Sequence, residues 1–116
     1  MAKYNQLGKE GELIAFMVLQ RDGFTILETN WRFQKAEIDI IAKKDRFLIF
    51  IEVKTRKSKK FGKPSDAIDT KKIALYKDAV EGYLEQYPSE DKIRFDVLNI
   101  MIGKDETQIE HIPNAF

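Results

Sequence analysis

Cysteine is absent from the chain, which excludes disulfides and thiolate zinc sites and fits a reducing cytoplasm. Histidine occurs once, as His111, without convincing acid and nucleophile partners, so a serine or cysteine hydrolase is not expected. A lone strand histidine near a chain end is usually a surface residue, and His111 is assigned no role. No apolar run approaches the ~20 residues of a membrane span, and the opening MAKYNQLGKE lacks the apolar core of a signal peptide. The expected location is therefore cytoplasmic, without a membrane partner. A glycine-rich phosphate loop, a dinucleotide fingerprint and internal repeats are all missing. A large charge excess is missing too: the net charge is +1, which neither predicts nor excludes a nucleic-acid partner.

What is present is 43% apolar and 34% charged residues, the balance of a globular protein. Residues 1–116 are expected to form one domain, long enough for a real core and too short for two. The chain is organised around AEIDIIAKKDRFLIFIEVKTR, Ala36 to Arg56. It reads as a strand Ala36–Ala42, a turn Lys43–Arg46 and a strand Phe47–Thr55. If Ala42 pairs with Phe47, Glu37 lies opposite Glu52 and Asp39 opposite Phe50. Alternation then puts Glu37, Asp39, Glu52 and Lys54 on one face. Two carboxylates facing each other across such a pair repel by roughly 3 kcal/mol at ~5 Å and an effective dielectric of about 20. A divalent cation held by Asp39 and Glu52, with Lys54 beside it, would offset that repulsion. A partly solvated face on which Lys54 neutralises Glu52 would do so as well.

Immediately downstream, six cations and no acid lie between Lys54 and Lys63: Lys54, Arg56, Lys57, Lys59, Lys60 and Lys63. Such a cluster is either the footprint of phosphate binding or a solvated loop. Upstream, Asn5–Asp22 reads as a helix with Gly23 past its end. Its half LIAFMVL, Leu13–Leu19, is apolar on every side, so the helix is expected in the interior. Gly8 and Gly11 imply a close approach to its backbone. Glu12 reads as an acid favoured by the helix dipole. Phe24–Phe33 reads as a strand in which Asn30 and Arg32 alternate with Trp31 and Phe33. A second helix is predicted from Ser65 or Asp66 to about Gln86, with Ile68, Leu75, Tyr76, Ala79, Val80, Tyr83 and Leu84 as its core stripe. Lys71 and Lys72 near its start would extend the positive surface. Ile93–Ile102 and Thr107–Ile112 read as strands joined by a turn at Gly103–Glu106. The expected class is α/β, in the order α-β-β-β-α-β-β.

Asp39 followed by Glu52-x-Lys54 on the next strand, after a helix carrying Glu12, resembles the signature of the restriction-endonuclease-like PD-(D/E)xK nucleases. LGKEGE (Leu7–Glu12), ETNWR (Glu28–Arg32), AEIDIIA (Ala36–Ala42), FIEVKTR (Phe50–Arg56), FGKP (Phe61–Pro64), Lys72 and RFD (Arg94–Asp96) together resemble the YraN family. That family consists of small bacterial endonuclease-like proteins related to Holliday-junction resolvases. Ala36 replaces a glycine frequent in relatives, and Ile38 stands where the superfamily name has proline.

The resemblance implies a mixed central sheet flanked by helices. It implies Asp39 and Glu52 as ligands of Mg²⁺ or Mn²⁺, Lys54 beside the attacking water and Glu12 as an auxiliary acid, so that Asp39, Glu52, Lys54 and Glu12 form the catalytic set. Glu37 would help through metal-bound water. Arg56, Lys57, Lys59, Lys60, Lys63 and Lys72 would hold the backbone of a nucleic acid, DNA above all, without reading sequence. Relatives of the resolvase kind often act as dimers, which extends the expectation of a homodimer to this chain. A metal-dependent endonuclease is the leading reading. A non-cutting nucleic-acid-binding module and a protein-interaction domain with merely ion-paired acids are the alternatives.

Overall fold

The computed structural model describes the backbone of residues 2–57 and 70–115 and the side chains of 7–57 and 71–115. Its elements run α1 (Ala2–Arg21), β1 (Thr25–Phe33), β2 (Ala36–Lys44), β3 (Phe47–Arg56), α2 (Thr70–Gln86), β4 (Lys92–Ile102) and β5 (Thr107–Ile112). This is the predicted α/β order, although the start predicted for the second helix, with Ile68, lies outside the described residues. The strands form one mixed sheet in the order β1-β2-β3-β4-β5. Only β3 and β4 are parallel, with α2 as the crossover between them.

The two helices cover opposite faces. Ala15 and Leu19 of α1 join Phe24, Ile40, Ala42, Ile49, Ile51, Leu98 and Ile100 in one core. Ala79, Val80 and Tyr83 of α2 join Ile38, Ile41, Leu48 and Phe50 in the other, with Trp31 and Phe33 packed against it. Burial on both faces explains the near-continuous apolar run of β3. Helix α1 is not interior, as its sequence suggested: Leu13 and Met17 are about 60% exposed, and only one face meets the sheet. An all-round apolar segment here marks a covering helix whose outer face is left uncovered. On α2, Tyr76, Ala79, Val80 and Tyr83 are buried as expected, whereas Leu75 is exposed.

The β2–β3 connection differs from the expected four-residue turn. Lys44 pairs with Phe47, leaving Asp45 and Arg46 as a two-residue turn with φ of 52° and 68°. Positive φ at both positions is the turn whose twist matches that of the flanking strands. The register is therefore displaced by two residues from the expected one, and Ala42 pairs with Ile49 rather than Phe47. A shift of two keeps every side chain on its original face. The β2–β3 ladder ends at Ile40–Ile51, yet β2 stays paired with β1 to Ala36 and β3 with β4 to Arg56. The two central strands thus part company beyond Ile40 and Ile51, and the sheet forks there.

The expected close approach to the α1 backbone holds at Gly11, where a Cβ would collide with the Thr55 side chain, and fails at Gly8, where none would meet anything. Gly11→Ala should cost about 1–3 kcal/mol through overpacking, while Gly8→Ala should gain roughly 0.5–1 kcal/mol of helix propensity. Urea denaturation of both variants checks the contrast, and equal effects would contradict this packing. Arg46→Gly should stabilise by roughly 0.5–1 kcal/mol, since relief of the left-handed backbone exceeds glycine's entropic cost. Destabilisation in the same assay would argue against the two-residue turn.

Candidate functional site

Glu52 sits on β3 with 2% of its surface exposed. A carboxylate so buried is tolerable only with strong donors on both oxygens. The Tyr76 hydroxyl donates to Oε1 at 2.5 Å. The Lys72 and Lys54 ammonium groups lie 2.8 and 2.9 Å from Oε2. Lys72 and Tyr76, four residues apart on α2, share one helix face, which is why one helix serves both oxygens. Burial by itself would raise the Glu52 pKa, but the hydrogen bonds from Lys72, Tyr76 and Lys54 outweigh it and hold it below its ordinary value. Burial would likewise depress Lys72, and Glu52 reverses this to a raised pKa. Tyr76 is pushed strongly upward by burial and by the adjacent carboxylate.

Asp39 occupies the fork. Ile38 and Ile41 both pack in the α2-side core while Ile40 packs in the α1-side core, so strict alternation breaks around Asp39. Its neighbour on β1, Asn30, has φ of 52° and follows a register shift between Ile26 and Glu28. In the gap between the strands the Val53 N–H donates to Asp39 Oδ2 at 2.7 Å, taking a side-chain acceptor where the ladder supplies none. Burial pushes Asp39 up from 3.8 to about 6; the Val53 N–H opposes this, and the charges of Glu52, Glu12 and Glu37 add to it.

Two clefts flank the fork, and Glu37, Asp39, Val53 and Lys54 line both. The α1-side cleft, of about 680 Å³, adds Glu12, Asn30, Thr55 and Arg56. The α2-side cleft, of about 260 Å³, adds Lys35, Glu52, Lys72 and Tyr76. The four residues expected on one face are thus brought together, but by the fork rather than by simple alternation. Glu12 accepts a 3.4 Å hydrogen bond from Asn30 Nδ2. Glu37 lies 3.6 Å from Arg32 in an exposed pair, worth little by itself. Of the basic loop, Arg56 lines the larger cleft and Lys57 is exposed. Lys59, Lys60 and Lys63 lie outside the described residues. Lys72 was expected on phosphate and instead lies on Glu52.

Mg²⁺ or Mn²⁺ fits these residues. Two carboxylates from diverging strands face the α2-side cleft, and one of them, Asp39, has its pKa raised to about 6 by burial first and then by neighbouring negative charge. Among the described residues no three acidic or histidine side chains converge as a ready-made cage. Mg²⁺ keeps several waters and takes one or two carboxylates alongside substrate phosphate. Asp39 and Glu52 would be its protein ligands.

Sequence reasoning missed Tyr76, read as core stripe, and Lys35; the Lys72–Tyr76 spacing was the available signal for the former. It also missed a second polar cluster. Asp96, fully buried on β4, accepts two hydrogen bonds of 2.9 Å from Arg94, one of 3.0 Å from the Asn114 N–H, and lies 2.7 Å from His111 Nε2. Burial would raise its pKa, but His111, Arg94 and the Asn114 N–H lower it. His111 is a half-buried partner of this carboxylate rather than a free surface group.

Asp39→Asn should stabilise the cation-free protein at neutral pH. Because the folded pKa is raised, the unfolded state ionises first as pH rises from about 4 to 6, and stability falls across that window. Above it the full penalty of about 2–3 kcal/mol persists. The gain from Asp39→Asn should be near zero below pH 4 and complete by pH 7 in chelator-treated urea melts. A difference independent of pH would rule out this electrostatic origin.

The sequence profile of the uncharacterised protein family UPF0102 matches residues 11–100. A UPF0102 protein of Flavobacterium psychrophilum is 47% identical over all of this chain and 98% of its own length. One from Christiangramia forsetii is 46% identical with the same coverage. A third, from Caldicellulosiruptor bescii, is 46% identical over 96% of this chain and 97% of its own. With a profile match spanning Glu12, Asp39, Glu52, Lys54 and Lys72 and relatives this similar from end to end, the chain belongs to the UPF0102 family, the YraN family of the resemblance.

Proposed function

We infer that this protein is a cytoplasmic, metal-dependent endonuclease that hydrolyses DNA phosphodiesters and selects its substrate by nucleic-acid structure rather than by sequence. The observation that carries this reading is Asp39. An acid buried in a strand fork, fixed by the Val53 N–H and with its pKa raised further by the charges of Glu52, Glu12 and Glu37, is costly unless a cation is to join it.

Asp39 and Glu52, on two diverging strands, would hold the metal. Bound there, Mg²⁺ or Mn²⁺ would supply an acidified water and neutralise charge on the phosphate. Lys54, reaching both clefts, sets its ammonium beside the reacting phosphate, where developing negative charge is stabilised. Glu12, tethered by Asn30, and Glu37 orient water at the cleft rim. Arg56 and Lys57 grip the backbone, giving affinity without base readout, hence selection by shape. The second reading, a binding module that does not cut, draws on the full set of donors already around Glu52. It predicts salt-dependent binding that survives loss of Asp39.

Labelled linear, single-stranded, flapped and four-way-junction DNA should be cut in Mg²⁺ or Mn²⁺ by the wild type. Separately purified Asp39→Ala and Lys54→Ala proteins should cut at least 100-fold more slowly while still binding. If no substrate is cut, or the variants match the wild type, the binding module replaces the nuclease.

A further inference from the structure

One oxygen of Glu52 carries two ammonium groups. Lys54 and Lys72 both approach Oε2, within 2.9 and 2.8 Å, while Oε1 is taken by the Tyr76 hydroxyl. Two cations converging on one buried oxygen is more positive charge than a single carboxylate balances, with Asp39 across the same cleft as the other source of negative charge. Oε2 is also the oxygen left for a metal ligand, since Tyr76, itself 3% exposed, holds the other. A divalent cation and the Lys72 ammonium compete for it.

The two lysines are not equivalent in such a competition. Lys54 springs from β3 two residues beyond Glu52, lines both clefts, and has a side chain 26% exposed. Lys72 reaches in from α2, lines only the α2-side cleft, and is 37% exposed, the more solvent-accessible of the two. We propose that Lys72 is a resident counter-cation: it fills the divalent cation's place on Glu52 in the metal-free protein and moves to a phosphate oxygen of the nucleic acid when the metal binds. The proposal rests on the reading of Asp39 and Glu52 as a metal pair. It makes Lys72 a positioning residue for Glu52 before loading and a phosphate ligand after it, and couples metal loading to backbone binding. Without metal, Lys72 keeps the buried carboxylate paired.

Mn²⁺ binding without nucleic acid, followed by titration calorimetry, tests the first half. Lys72→Gln, which keeps a hydrogen bond to Glu52 without the charge, and Lys72→Met should each bind Mn²⁺ roughly tenfold or more tightly than the wild type, because a like charge a few ångströms from the ion is gone. Equal or weaker binding by both folded variants overturns the proposal while leaving the metal pair intact. If neither the wild type nor the variants bind Mn²⁺, and Glu52→Gln changes nothing, the metal pair itself fails and the proposal with it. For the second half, a fluorescein-labelled duplex oligonucleotide is titrated in Ca²⁺ and in chelator. Lys72→Gln should weaken binding several-fold in Ca²⁺ and leave it unchanged in chelator, where the wild-type ammonium is held by Glu52. The same loss in both conditions would overturn the transfer.

Discussion

The burial of one carboxylate governs much of this structure. Glu52 lies in the middle of the sheet, and an unpaired anion there would cost several kcal/mol. Its stability requires a helix that returns across the sheet and delivers a phenol and an ammonium to its two oxygens. Helix α2 does this with the same face that supplies Ala79, Val80 and Tyr83 to the core. Docking of the helix and neutralisation of the acid are therefore one event. The apolar contacts set where α2 lies, and the polar contacts near its start determine what the site contains.

The fork is the second constraint. A sheet that stayed paired along β2 and β3 would bury the Val53 N–H in an ordinary ladder and leave no gap for a carboxylate. Here β2 follows β1 and β3 follows β4, so the central pair opens after Ile40 and Ile51. Asp39 takes up the orphaned donor and is left between two clefts. Glu52 is over-supplied with positive charge and Asp39 with negative charge, although both line the smaller cleft. Burial raises Asp39, with the neighbouring acids adding to it, whereas the hydrogen bonds from Lys72, Tyr76 and Lys54 overcome burial and depress Glu52.

Away from this site the chain ends on a different solution to the same physical problem. Asp96 is as buried as Glu52, but Arg94, His111 and the Asn114 N–H saturate it. It lines neither of the clefts at the fork. Its donors come from β4 itself, from β5 and from Asn114 in the turn that follows β5, so it ties the C-terminal strand and turn to the sheet. What makes Glu52 rather than Asp96 the candidate for chemistry is that it and its partners Lys54, Lys72 and Tyr76 line the α2-side cleft.

Much of this was legible in the residues. Alternation and turn chemistry placed five strands and two helices in order, and Asp39, Glu52 and Lys54 stood out because charged residues interrupt strands otherwise rich in Ile and Phe. The outer face of α1 was not legible, since Leu13 and Met17 look like core until the sheet is seen to meet only one side of the helix. Nor was the register, because Asp45-Arg46 lacks the glycine that usually announces a two-residue turn. A displacement of two residues preserves the faces of a strand, but the site itself lies past the end of the β2–β3 ladder, where the fork and not the register brings its residues together. By itself, then, the sequence determined the order of the elements and which of them bear Asp39, Glu52 and Lys54, because periodicity and local propensity act over short stretches. Only the tertiary structure decided that Asp39 enters a fork, that Lys72 and Tyr76 close on Glu52, and that His111 serves Asp96. These depend on where strands stop pairing and on how a helix more than fifteen residues downstream packs back, and no local pattern encodes either.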